Sequence, residues 1–426
     1  MNNFSKFNHL IINSKEDYIL FKLGTHGEIK YCFLDKSYEP MEIQELYKGG
    51  VLKYSVTIDK KDKIHLIALM KSGELIYSIY HEGNWSNTTI AKFDFRSNIF
   101  NNIKIISEEG NVHIIYDFAN LINSKLRTIQ HVVGNNTNWK QHNITKFVSD
   151  RVSNPFTIDL DSFGTIHLLY RSLEGDISQI YHTFYNPYSD KWNTTPQKLT
   201  TSNTNKLYPY IFVDTKNNLH GLWLEEINNN YVLKYSKVDS SRMQKYIWKH
   251  IKIPYIEKCN NMPIMLEEKD TLKIIYSIID GIGYLYSLDR GDTWSKGEIS
   301  NIGSSNINLI RISNSIFETN IIKINDTYYS MDKGLEFYFL DNFNSSSSTA
   351  ANKPFFDIED ELEQSRILQD IEEISIKIAQ LAESHDEIKN TLNQTLASQN
   401  KIEKKISYIL EILETKKNSI FDKFFK

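Results

Sequence analysis

Along residues 1–340, apolar positions recur in short runs with a period of two, separated by turns rich in Asn, Asp, Gly and Ser. Beyond residue 354 the period lengthens to that of a helix. Alternation over four to eight residues marks a strand, because successive side chains point to opposite faces. The clearest run carries His at its second place: Ile64-His65-Leu66-Ile67, Val112-His113-Ile114-Ile115-Tyr116, Ile166-His167-Leu168-Leu169-Tyr170 and Leu219-His220-Gly221-Leu222-Trp223. A fifth copy, Leu272-Lys273-Ile274-Ile275-Tyr276, puts Lys in that place, and successive copies lie 48, 54, 53 and 53 residues apart. A strand and a polar turn precede each copy. A second turn and an alternating strand follow, and then a Trp opens a last strand: Trp85, Trp139, Trp192, Trp248 and Trp294.

Four short strands per unit, joined by hairpin turns and repeated at this period, predict an all-β fold of propeller blades. The flanks extend the count, with runs at 10–12, 18–23 and 28–34 and again at 308–312, 320–324 and 335–340. These are too many for one blade, so a seven-bladed β-propeller is expected, with a six-bladed one as the alternative. A lone blade cannot bury both faces of its sheet, so the two ends of residues 1–340 are expected to meet.

The rest divides into a flexible polar linker over 341–353 and a coiled-coil helix over 354–426. Pro354 and Asp357 stand where a helix would start. One heptad register places Ile371, Ile378, His385, Leu392, Gln399, Ile406 and Leu413 at a, with Ile367, Ile374, Leu381, Ile388, Thr395, Ile402 and Ile409 at d. Isoleucine at both positions favours three or more strands, so a homo-oligomer, a trimer, through 364–413 is expected. His385, Thr395 and Gln399 would form polar layers that fix the register. A helical hairpin turning near 398–400 is the alternative.

Composition narrows the function. A formal net charge of -4 argues against a general nucleic-acid partner, which needs a basic surface. Two cysteines, Cys32 and Cys259, make no disulfide framework and read as buried thiols. The first residues carry no signal-peptide pattern and no stretch of 18 apolar residues occurs, so the default expectation is a cytoplasmic product without a transmembrane segment. Association with a surface or particle stays open.

Recurring histidines invite a metal, but equivalent places on different blades are too far apart to share an ion at about 2 Å. Packing or backbone hydrogen bonding is expected of them. The turn acids Asp59/Asp62, Asp159/Asp161 and Glu267/Glu268/Asp270 match no complete calcium loop and are expected to be solvated turns. No phosphate loop, dinucleotide fingerprint, nucleophile elbow or Cys-x-x-Cys occurs, so neither metal nor cofactor is expected.

One turn is sharper. Ser287-Leu288-Asp289-Arg290-Gly291-Asp292-Thr293-Trp294 is similar to the Asp-box of sialidase-like propellers, and residues 50–300 resemble lectin-type propellers whose blades read apolar-His-apolar, then Gly-x-Leu, then Trp. In that resemblance Ser287, Asp289, Gly291, Thr293 and Trp294 are structural. It also implies a hydrolase alternative, in which three Arg hold a carboxylate beside a Tyr–Glu pair and an Arg-Ile-Pro motif. Here the first Arg is Arg96 and no Arg-Ile-Pro occurs, so an enzyme is the weaker reading. Two binding readings remain. In one, a lectin-like propeller offers sugar sites between blades, with Trp85, Trp139, Trp192, Trp223 and Trp248 as contact aromatics. In the other, the propeller is a protein-docking disc.

Overall fold

The computed structural model describes residues 8–338, apart from short stretches at 36–37, 109, 136–137, 150–153, 241–244, 280, 302–306, 316–321 and 331–334, together with residues 398–407. The alternating runs all become strands. The first group is β1 (Asn8–Ile12), β2 (Tyr18–Leu23), β3 (Ile29–Leu34) and β4 (Pro40–Tyr47), followed by β5 (Val51–Ile58), β6 (Ile64–Met70), β7 (Glu74–His81) and β8 (Asn84–Lys92). Next come β9 (Asn98–Glu108), β10 (Asn111–Asn120), β11 (Leu126–Asn135) and β12 (Asn138–Val148), then β13 (Phe156–Leu160), β14 (Ile166–Glu174), β15 (Ile177–Asn186), β16 (Lys191–Trp192) and β17 (Gln197–Lys198). The set continues with β18 (Lys206–Val213), β19 (Leu219–Ile227), β20 (Asn230–Val238) and β21 (Lys249–His250), then β22 (Ile264–Glu268), β23 (Thr271–Ile278), β24 (Gly281–Ser287) and β25 (Ser295–Asn301). It ends with β26 (Asn308–Asn314), β27 (Ile322–Ile324), β28 (Asp326–Ser330) and β29 (Glu336–Phe337).

Five of these groups are antiparallel meanders beginning at β5, β9, β13, β18 and β22; β27 pairs with the free edge of β22, the edge away from β23. The sixth sheet runs β29-β28-β26-β1-β2-β3-β4, joined by a parallel ladder from Asn8↔Ile310 to Ile12↔Asn314. Among the described residues hydrogen bonding gives six sheets where the sequence counts seven units, because the first and last units share one ladder. The ends of the repeat array do meet, and they meet through their first strands.

Burial is greatest in the second strands and least in the fourth. Second strands such as β6 and β14 are buried on both faces, whereas β4 and β8 are largely exposed. Each apolar cluster lies between neighbouring sheets: Phe21 and Ile29 pack with Val56 and Leu66, Leu69 and Tyr77 with Ile105 and Ile114, and Ile115 and Ile129 with Phe156 and Leu168. Sheets stacked face to face around a common centre form a β-propeller. The core is therefore a set of interfaces, each Leu or Ile contributing about 1.5–3 kcal/mol by leaving water.

Polar side chains span the same interfaces. Ile105 N–H donates to Ser55 Oγ at 3.3 Å, Ile211 N–H to Thr157 Oγ1 at 3.0 Å, Val213 N–H to Asp159 Oδ2 at 2.6 Å, and Thr215 N–H to Glu267 Oε2 at 2.7 Å. First strands of adjacent sheets share few backbone bonds, so these side chains satisfy amides that would otherwise be buried unpaired. One buried ion pair lies within a sheet: Arg127 Nε donates to Asp117, whose other oxygen accepts from Asn102 Nδ2 at 2.8 Å. Burial raises the Asp117 pKa, with Arg127 opposing it.

Both cysteines are free and buried, as expected, and burial pushes the thiols up, Cys32 to about 11 and Cys259 to about 12. Among the described residues no helix is long and apolar enough to cross a membrane.

Contacts divide the chain into two units, Met1–Phe355 and Phe356–Lys426. In the second, residues 398–407 form a helix in which Gln399 Nε2 donates to Glu403 Oε1 at 3.3 Å. Ile402 and Ile406 are both exposed on it. The linker over 341–353, His385, Thr395 and most of the heptad seam lie outside the described residues.

Candidate functional site

The recurring His side chains point into the packing and build one repeated device. In the first copy the Tyr77 hydroxyl meets His65 Nδ1 at 2.6 Å, and His65 Nε2 faces Asp59 Oδ2 at 3.2 Å. His220 repeats this with Tyr235 at 2.7 Å and Asp214 at 3.4 Å, and His167 with His182 Nε2 at 3.3 Å and Asp161 at 3.4 Å. Each Asp uses Oδ1 to accept two N–H groups of its own hairpin turn: Lys61 and Lys63, Phe163 and Thr165, Lys216 and Asn218. One His therefore ties a turn, a second strand and a third strand. Asp59 and Asp161, expected from the sequence to be solvated turn acids, are not merely solvated, because one oxygen closes the turn and the other faces the His, and Asp214 does the same. Burial alone would raise Asp214, yet His220 and Asn218 bring it down to about 2.

The Trp side chains finish the device from the neighbouring sheet. Trp139 meets Tyr77 edge-on at 5.3 Å, Trp248 meets His182 at 5.2 Å and Trp294 meets Tyr235 at 5.1 Å. Trp192 Nε1 donates to His131 Nδ1 at 3.0 Å, and His131 Nε2 lies 2.9 Å from His113 Nδ1. Trp85 packs on Phe21 and Tyr31, and Trp223 is buried with Leu169, Ile180 and Ile211. The five aromatics read from the sequence as sugar contacts thus all take part in packing within and between sheets.

The turn over Ser287–Trp294 is held by its own polar side chains. Asp289 accepts from Ser287 Oγ and Thr293 N–H, both at 2.8 Å, and from Thr293 Oγ1 at 2.6 Å, while Gly291 N–H donates to Ser287 Oγ. Its Arg290 reaches Glu267 and Asp270, and Lys237 of the adjoining sheet donates to the Arg290 carbonyl at 3.1 Å. Gly291 has φ +89°, and a Cβ there would overlap the Tyr235 hydroxyl. Gly291→Ala is expected to destabilise the fold by about 1–3 kcal/mol. A urea midpoint unchanged from the parent would show that this close approach is not needed.

A broad concavity lies elsewhere, where the first strands end around the common centre. A cavity of about 1010 Å³ is lined by the ends of β5, β9 and β13, the turns after β5 and β18, and β26 and β27. Amide and hydroxyl groups line it (Asn135, Asn217, Asn314, Thr215), beside Arg311 and Lys323. Lys323 Nζ stands 3.8 Å from Asp159 Oδ2 and 5.3 Å from the centre of the Phe212 ring. One layer deeper come His9, Lys104, Tyr210 and Asp326. Arg311 is the register partner of His9 on β1 and of Asp326 on β28, so the shared ladder builds this floor. Burial, then Arg311, pulls Lys104 down to about 7, with Asp326 opposing; burial raises Asp326.

Sequence reading missed this cluster. Its signal is a charge between two isoleucines, Ile103-Lys104-Ile105, Ile310-Arg311-Ile312 and Ile322-Lys323-Ile324. The signal is weak, because Leu272-Lys273-Ile274 reads the same and its Lys273 pairs with Glu268. Among the described residues no group of three or more His, Cys, Asp or Glu is placed to hold a metal ion.

These features define a β-propeller. A solved lectin from Burkholderia pseudomallei superposes with a TM-score of 0.53 at 10% identity, covering 77% of this chain and 93% of that one. The Aleuria aurantia lectin, solved with Fucα1-6GlcNAc, gives a TM-score of 0.39 at 11% identity over 70% and 97% of the two chains. An α-L-arabinofuranosidase from Fusarium graminearum gives 0.44 at 10% identity over 66% and 88%. Only the first superposes well enough to bear on the fold, and at that identity it speaks to fold alone. No family model and no curated protein matches the chain.

Proposed function

We propose that the chain is a non-catalytic carbohydrate-binding propeller whose ligand enters the mouth of the central channel. The observation that carries this reading is the mouth itself. It is a cavity of about 1010 Å³ lined by amides, hydroxyls and charged groups from several sheets, the inventory that sugar hydroxyls require. The lectin of Burkholderia pseudomallei shares the fold and lends support by analogy. Multimerisation through the C-terminal helix belongs to the same proposal, since Ile402 and Ile406 fall at heptad positions and are exposed. Joining several weak sites would raise avidity by orders of magnitude.

A second reading has its own observation. Leu52, Leu121, Ile122, Leu126 and Ile279 are exposed, and all sit at first-strand starts or second-to-third-strand turns, the end opposite the mouth. An apolar end of this kind suits a protein-docking disc. A glycan array probed with the full-length chain separates the two. Binding lost on Asn217→Ala and Asn314→Ala, with the melting temperature kept, is the expected result. An array without signal alongside a partner lost on Ile122→Asp and Ile279→Asp would establish the docking disc instead.

A further inference from the structure

The carboxylates on the wall of the mouth are already engaged. Asp59, Asp161 and Asp214 close turns and face His side chains, while Asp159 accepts from Leu160 N–H at 2.8 Å and Val213 N–H at 2.6 Å. The cations differ. Arg311 lines the cavity with its Nε buried and without a hydrogen-bond partner, and Lys323 reaches only an Asp159 oxygen that Val213 already occupies. Below them His9 is 4% exposed with Nδ1 unpartnered. Lys104, Arg311, Asp159 and Asp326 gather around this floor, where Lys104 is lowered to about 7 by burial first and by Arg311 second, with Asp326 opposing.

An Arg311 Nε without an acceptor, beside a Lys323 ammonium 3.8 Å from a carboxylate, in a concave and partly desolvated site favours a ligand that brings negative charge, because a charge-assisted hydrogen bond there is stronger than one in water. Neutral sugars would offer Arg311 Nε only uncharged acceptors. We propose that the mouth takes the anionic group of an acidic saccharide, a carboxylate or a sulfate, held by Arg311 and Lys323. This rests on the carbohydrate reading above. The guanidinium gives planar two-point contact and the ammonium a point charge, so the pair can close on either anion.

Isothermal titration of the full-length protein tests it with four probes: trigalacturonate, its neutral counterpart galactotriose, a sulfated galactotriose and sodium sulfate. The expected result is binding of one acidic trisaccharide at least tenfold tighter than galactotriose. That advantage should shrink at least fivefold in Lys323→Gln, whose side chain is partly exposed, and in Arg311→Lys. Thermal melting of each variant confirms folding, and Lys323→Gln stands alone should Arg311→Lys not fold. Trigalacturonate against sulfated galactotriose tells which anion is selected. Equal binding of acidic and neutral sugars overturns the anion assignment and leaves the saccharide reading intact. Sulfate binding without any sugar binding does the reverse, and an acidic preference that survives Lys323→Gln moves the site elsewhere. No binding of any probe removes both.

Discussion

Lowering the pH from 7 to 4 is expected to unfold the propeller, with most of the stability lost below about pH 6.5. The cause is the set of buried histidines. Trp192 donates to His131 Nδ1, so neutral His131 carries its proton on Nε2 and donates it to His113 Nδ1. A further proton on either ring would face a donor across the bond. Burial first, with the neighbouring His142 and against Asp190, holds His113 down to about 4, and burial with His113 and His142 holds His131 well below its usual range. His182 and His9 are lowered by burial too, with His167 acting on the first and Arg311 and Lys104 on the second. Burial also lowers His65, despite Asp59.

The sign follows from linkage. Between pH 6.5 and the folded pKa values, the unfolded chain binds protons that the native state refuses, so stability is complete above 6.5 and falls as pH falls. His113 alone accounts for on the order of 3 kcal/mol once pH passes below about 4. The other buried histidines act in the same direction, so their effects add to that of His113. Urea midpoints at pH 7.5, 6, 5 and 4 would check it, and a midpoint flat down to pH 4.5 would sink the account. Lys104 tilts the curve the same way at higher pH: lowered to about 7, it lets stability rise between there and the unfolded lysine range.

Replacing Arg127 with Leu should cost about 3–5 kcal/mol at pH 7, because it strips the partner from a fully buried carboxylate. Asn102 would then be the remaining donor to Asp117, and a single amide cannot offset that desolvation. The loss should shrink at lower pH as Asp117 takes a proton. Asp117→Asn combined with Arg127→Leu should recover most of it, since neither residue then leaves a buried charge. Parallel urea titrations of the single and double variants decide the matter. A double variant as unstable as Arg127→Leu alone would mean that the damage is in packing, not charge.

The strands were legible because period two and turn residues are local properties, and the His anchors marked every second strand from β6 to β19. What the His does was not legible, since Asp59, His65, Tyr77 and Trp139 lie on a turn, two strands and a neighbouring sheet. Trp139 or Trp248 reads alike in sequence whether its ring faces solvent or the next sheet. Pairing of Asn8–Ile12 with Ile310–Asn314 is set by ring closure, for which no local residue carries a signature. The channel floor escaped for the same reason, because Lys104, Arg311, Lys323 and Asp326 converge only after that closure. Within Ser287–Trp294 the local hydrogen bonds of Asp289 join near neighbours, whereas the contacts of Arg290 with Glu267 and Asp270 and of Gly291 with Tyr235 come from distant residues and carry no local signal.

The shared ladder also sets a clock for biosynthesis. One edge of β1 pairs with β2 almost as soon as it is made, whereas the other edge waits for β26, near the far end of the propeller. At roughly 5–20 residues per second, the nascent chain carries that open edge, with Leu10, Ile11 and Ile12 along it, for roughly 15–60 seconds. An unpaired strand of this kind is a template for the wrong neighbour, including β1 of another chain on the same message. The ribosome-bound intermediate, rather than the finished ring, is therefore the form in which this protein is most open to aggregation.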